Sequence, residues 1–115
     1  MSALAPATRT VLALLEADVA GDWTLAGLAA LVHLSPSQLN RVFVADTGRT
    51  PLVRLHELRA ERMAELLRTT SLSVRAAGAR VGWTDPGNAT KRFHRHWGML
   101  PTAYRRIVGG IQFQR

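Results

Sequence analysis

The sequence predicts an all-α fold of seven helices, a bipartite domain of two helix–turn–helix subdomains joined by a long central helix. Three observations predict it. Hydrophobic residues make up 47% of the 115, mostly Leu, Ala and Val, a set that suits helices better than sheets. They recur at helical spacing, and no stretch alternates convincingly as a strand. Finally, part of the sequence occurs twice. Ser35-Pro36-Ser37-Gln38-Leu39-Asn40-Arg41-Val42-Phe43 returns as Asp85-Pro86-Gly87-Asn88-Ala89-Thr90-Lys91-Arg92-Phe93, an offset of 50 (35 to 85). At the same offset Gly48 meets Gly98 and Pro51 meets Pro101. Upstream the offset is 49: Thr24-Leu25 meets Ser73-Val74, Leu28-Ala29 meets Ala77-Gly78, and Val32-His33-Leu34 meets Val81-Gly82-Trp83. The one-residue change falls in the turn, where an insertion costs least.

The first helix runs from about Pro6 to Val19 and carries Val11, Leu12, Leu14 and Leu15. Thr24 caps the second, which reaches about Val32. Ser35 caps the third, with Pro36 at the first helical position, where its missing N–H is harmless. That helix runs to about Asp46, and Gly48 ends it. Thr50 and Pro51 open the central helix, whose Leu52, Leu55, Leu58, Leu66 and Leu67 keep helical spacing to about Arg68. Ser73 caps the fifth helix, to about Arg80, and Gly82 supplies the turn. Asp85 caps the sixth, with Pro86 at its first position and Gly98 closing it. A last short helix begins near Pro101 and carries Tyr104. The expected divisions are therefore 1–49 and 70–108 for the two subdomains, 50–69 for the linking helix and 109–115 for a tail with little to bury.

Composition narrows the function. Cysteine is absent, which removes disulfides, zinc fingers and thiol nucleophiles together. No apolar run is long enough for a bilayer, and no basic segment followed by an apolar run opens the chain, so the expectation is a cytoplasmic protein without a membrane partner. The eight acidic residues are scattered, and no clustered carboxylates or nucleophile suggest a nuclease or recombinase; an enzyme is not expected. His94 and His96 point to different helix faces and no further ligand lies at suitable spacing, so neither metal nor cofactor is expected. The formal net charge of +7 and pI near 11.6 describe a surface that attracts polyanions. Lys91 is the only lysine among 15 basic residues, a bias that GC-rich coding also produces.

A helix-turn-helix offers its second helix to the major groove of DNA and braces it with the first. That second helix needs an apolar face and a polar one. In the first unit Leu39, Val42 and Phe43 face inward, and Ser37, Gln38, Asn40 and Arg41 face out. In the second, Ala89 and Phe93 face inward, and Pro86, Gly87, Asn88, Thr90, Lys91 and Arg95 face out. Asn and Gln can bond adenine at two points, Arg does so with guanine, and Pro86 can touch a thymine methyl. Successive major-groove segments on one side of the duplex lie ~34 Å apart. A helix of ~18 residues spans ~27 Å, so the central helix suits two units on one turn of DNA, with some bending. A monomer then does what simpler helix-turn-helix proteins do as dimers.

The same residues resemble the DNA-binding domain of the AraC/XylS family of bacterial transcription regulators. The match covers roughly Trp23 to Arg105. Its first half carries Trp23-Thr24-Leu25, Leu34-Ser35-Pro36-Ser37, Leu39, Arg41, Phe43, Gly48, Pro51, Leu55, Leu58, Arg59 and Arg62. Its second half carries Ser73-Val74, Val81-Gly82-Trp83, Asp85, Phe93, Gly98, Pro101 and Tyr104-Arg105. Each piece is weak alone; the ordered set is specific. The resemblance implies transcriptional control, with base contacts at Ser37, Asn40 and Arg41 and at Pro86, Gly87, Asn88, Thr90 and Lys91. The chain departs from the family at Ala77-Gly78 (usually Ile-Ala), Gly87 (Ser), Ala89 (Phe) and Lys91 (Arg). Gly78 costs ~1 kcal/mol against Ala in a helix. Ala89 leaves core volume for Trp83 or Trp97 to refill, and Lys91 lacks arginine's planar two-point bond. The second unit is thus expected to be less stable and to read sequence less strictly.

Trp23, Trp83 and Trp97 are expected in the core. Arg62 is expected to pair with Glu65 or Asp46, and Arg105, Arg106 and Arg115 are either phosphate contacts or solvated. Two alternatives stay open: a stand-alone short regulator, or the C-terminal part of a longer one with an N-terminal effector domain. Contacts with RNA polymerase fit this role and are not placed. The rival reading is a protein-interaction module that keeps the fold, or a regulator fragment, with only weak non-specific DNA binding.

Overall fold

The computed structural model describes residues 3–112. Among them are seven helices and no strand: α1 (Pro6–Ala17), α2 (Leu25–Leu31), α3 (Pro36–Thr47), α4 (Pro51–Thr69), α5 (Val74–Arg80), α6 (Pro86–Trp97) and α7 (Pro101–Gln112). The expected order and types hold. Two ends differ. α1 stops at Ala17, where the Asp18 amide closes on Leu14 O. α7 runs to Gln112 through the segment expected to be a tail, of which 113–115, with Arg115, lie outside the described residues.

The chain divides into two compact units with the boundary between Leu58 and Arg59, inside α4. The central helix is thus shared, its early turns packing in the first unit and its later turns in the second. The first unit closes on Val11, Leu15, Leu28, Ala29, Leu39, Phe43 and Leu55, all buried. Trp23 packs against this core half-buried, and its Nε1 donates to Asp18 O at 2.7 Å. The Ala5 amide donates to Asp46 Oδ2 at 2.9 Å, fastening the entry to α1 onto α3. The Thr8 hydroxyl beside that carboxylate, together with this amide, holds the Asp46 carboxyl below its ordinary range.

The second unit buries Ala60, Met63, Ala64, Leu67, Ala77, Val81, Trp83, Ala89 and Phe93. Ala89 packs against Gly78. A Cβ on Gly78 would lie 3.0 Å from Ala89 Cβ, so the two small residues let α5 and α6 approach closely. Trp83 belongs to this core as expected, whereas Trp97 remains 38% exposed. Its ring lies beside Tyr104, and its Nε1 donates to Ala60 O at 3.0 Å. Arg105 is half-buried: Nε and Nη2 donate to Leu67 O (3.1 Å) and Thr70 O (3.2 Å), where α4 ends. Arg62 pairs with Glu65 at 3.2 Å.

The repeat is structural down to single hydrogen bonds. The Leu34 amide returns to Ala29 O at 3.0 Å, and the Trp83 amide to Gly78 O at 2.9 Å. The Gly48 and Gly98 amides close on Val44 O and His94 O, both at 2.8 Å and both left-handed. The turns between the paired helices place His33 at φ 60° and Gly82 at φ 100°. Left-handed backbone suits glycine and costs an L side chain roughly 1 kcal/mol. At Gly82 there is also no room: a Cβ would sit 2.8 Å from the guanidinium of Arg59, itself 9% exposed. Opposite outcomes are therefore expected from equivalent positions. His33→Gly should stabilise by a few tenths to about 1 kcal/mol, and Gly82→Ala should destabilise by about 1–3 kcal/mol. Urea unfolding checks both, and equal effects of the same sign would contradict this account.

Candidate nucleic-acid interface

Each unit presents the second helix of its pair. α3 starts from a complete capping box: Ser35 Oγ accepts from the Gln38 amide (3.1 Å), and Gln38 Oε1 accepts from the Ser35 amide (2.9 Å). Ser37 and Arg41 stand exposed one turn apart, and Arg41 carries no hydrogen bond or ion pair. Two expected readers are placed differently. Gln38 is exposed, but its carbonyl is engaged in the cap, so two-point bonding to adenine would break the box. Asn40 is half-buried on the flank of the helix, with Oδ1 enclosed and unpartnered. Val44, absent from the sequence expectations, extends the Ser37–Arg41 stripe by a further turn and is 41% exposed. A period of four then three from Ser37 would have found it.

α6 begins at Asp85, whose Oδ1 accepts from the Gly87 amide at 3.3 Å. Pro86, Gly87, Thr90 and Lys91 lie together along one face, as expected. They line a groove of about 550 Å³ with His94 and Leu100, which the sequence reading did not assign to the face. Asn88 lies half-buried beyond one edge of this stripe, and Arg95 is exposed. The Nε of Arg92, on the same flank as Asn88, is enclosed without a partner. His96 turns away, 3.9 Å from Glu61 and edge-on to Trp97. No group of three metal-ligating side chains occurs among the described residues.

The α6 segment has no acidic residue and three permanently cationic ones, Lys91, Arg92 and Arg95. Its dipole adds partial positive charge at the N-terminal end, where Pro86 and Gly87 sit. Chemically, both helices offer polar and cationic groups on a convex face, with no nucleophile–base pair and no metal cage.

Comparison with known proteins agrees with this architecture. The helix-turn-helix domain family matches residues 28–107. An AraC-like transcription regulator of Streptomyces antibioticus is 35% identical over 101 residues, 88% of this chain and 33% of that protein. The chain belongs to the AraC/XylS family. A further relative, the RCS-specific HTH-type transcriptional activator RclR of Escherichia coli, is 31% identical over 86 residues, 75% of this chain and 30% of RclR. The chain thus spans about a third of the length of these curated relatives. Among solved structures, the DNA-binding domain of AdpA, a global transcriptional factor, in complex with a target DNA, superposes with a TM-score of 0.89. It shares 27% identity and covers 96% of this chain and 100% of that one. The C-terminal domain of AraT, a response regulator from Geobacillus stearothermophilus, gives a TM-score of 0.87 at 29% identity, over 92% and 88% of the two chains. The relatives named here are transcription regulators.

Proposed function

We propose that the chain binds double-stranded DNA sequence-specifically, with α3 and α6 in successive major-groove segments, and regulates transcription by doing so. One observation carries the reading: a duplicated unit exposes, at equivalent positions of its second helix, Ser37 with Arg41 and Gly87 with Lys91. The AdpA domain, similar over nearly the whole chain, binds its target DNA. α4, at 19 residues, is about 28 Å long, a length suited to one turn of the duplex. In this reading a single chain engages both segments as a monomer, in the cytoplasm. No helix among the described residues is long and apolar enough to cross a membrane. Contact with RNA polymerase fits this role and is not placed.

The units divide the labour. Arg41 can bond guanine at two points, whereas Lys91 is a point charge on a flexible stem. Arg41→Ala should weaken binding to the preferred site by about 1–3 kcal/mol and relax base preference at one position. Lys91→Ala should weaken binding to all sequences alike and reduce the salt dependence. Titrations of both variants on the preferred and on scrambled duplexes test this. Equal loss of base preference in the two variants would contradict it.

A further inference from the structure

A groove runs along the exposed face of α6. It is lined by Pro86, Gly87, Thr90, Lys91, His94 and Leu100. Its existence depends on glycine: a Cβ at Gly87 would meet only Asp85 Oδ1, at 3.8 Å, so a side chain there would project into open space. Pro86 and Leu100, which is 49% exposed, supply apolar walls, and Thr90 lies between them with both a methyl and a hydroxyl. Lys91 and His94 supply a polar rim. Pro86 and Gly87 bring no side-chain hydrogen-bonding group to this face, so its donors and acceptors come only from Thr90, Lys91 and His94. The charged residues of α6 are all basic, which matches the groove to a polyanion rather than to an apolar protein segment. The major groove displays one apolar group, the C5-methyl of thymine.

We propose that this groove is a receptor for thymine methyl groups, so that the second unit selects thymine by apolar contact. The inference rests on the two-segment reading above and names what the second segment is read by. Burying one methyl is worth about a fourfold change in affinity.

Deoxyuridine keeps thymine's pairing edge and lacks only the methyl, so it isolates the effect. Each thymine of the second half-site, in a duplex selected by the whole chain, is replaced by deoxyuridine and Kd is measured. One or two positions should weaken binding about fourfold each. Gly87→Leu places a Cβ that meets no clash and removes a helical glycine, so it should fold at least as well as the parent and occupy the groove. In that variant the thymine and deoxyuridine duplexes should bind equally, and Leu100→Ala should shrink the difference. A second half-site indifferent to methyl loss, or a methyl effect unchanged in Gly87→Leu, overturns the proposal alone. DNA binding untouched by Gly87→Leu on every duplex also overturns it, and would leave the groove to a protein partner. A selected site with only one half-site overturns both this proposal and the two-segment reading.

Discussion

Replacing Phe93 with Ala should remove about 3–5 kcal/mol from the second unit, comparable with the whole stability of so small a body. Phe93 is fully buried and centres an aromatic group that joins three helices. Its ring lies 5.6 Å from Tyr104 of α7, edge-on, and 6.3 Å from Trp97. Trp97 in turn bonds the backbone of α4 at Ala60. Removing the ring leaves a cavity and ends the favourable edge contact with Tyr104, worth about a further 1 kcal/mol. The equivalent Phe43 has aliphatic buried neighbours and makes no ring contact of this kind among the described residues, so Phe43→Ala should lose the cavity term without the aromatic one. Residue-by-residue hydrogen exchange separates the two variants. Phe93→Ala should deprotect α5, α6 and α7, and Phe43→Ala should deprotect α1, α2 and α3. A loss below about 1 kcal/mol in either would mean that the packing described is not what holds the unit.

Affinity for duplex DNA of arbitrary sequence should fall about a thousandfold or more between about 50 and 200 mM salt. Not every basic residue is available for phosphate. Arg49 and Arg54 face Glu57, Arg62 faces Glu65, Arg59 is buried and Arg105 is bonded to the end of α4. Arg41, Arg75, Arg80, Lys91, Arg95 and Arg106 are exposed and carry no hydrogen bond or ion pair. About six phosphate contacts give a slope near −5 in log K against log salt, which sets the expected drop. A slope shallower than about −2 would fit the rival reading, a domain that keeps this fold for binding protein.

The parts of the fold that were legible in the sequence are those fixed by local chemistry. Ser35, Asp85, Gly48 and Gly98 mark helix ends because each satisfies backbone groups within a few residues of itself. The capping box was missed: Ser35 followed three residues later by Gln38 is its signature, and it removes Gln38 from free base reading. What sequence could not supply depends on packing between helices. Gly78 against Ala89 looks like two losses in sequence and is one close contact in space. Gly109 and Gly110 suggest a helix end, yet α7 continues through them to Gln112. Asn40 sits on the flank because α3 turns about 100° per residue, which carries it away from Ser37 and Arg41 toward the core edge. The groove joins α6 to Leu100 at the start of α7, a pairing that no local pattern announces.

The central claim, that one chain reads DNA through two repeated helices, is tested most directly by selecting bound sequences from a random duplex pool. Two conserved blocks should emerge with centres about 10 base pairs apart, and Arg41→Ala should blur one block while leaving the other. A single block, or two blocks at freely varying separation, would contradict the claim.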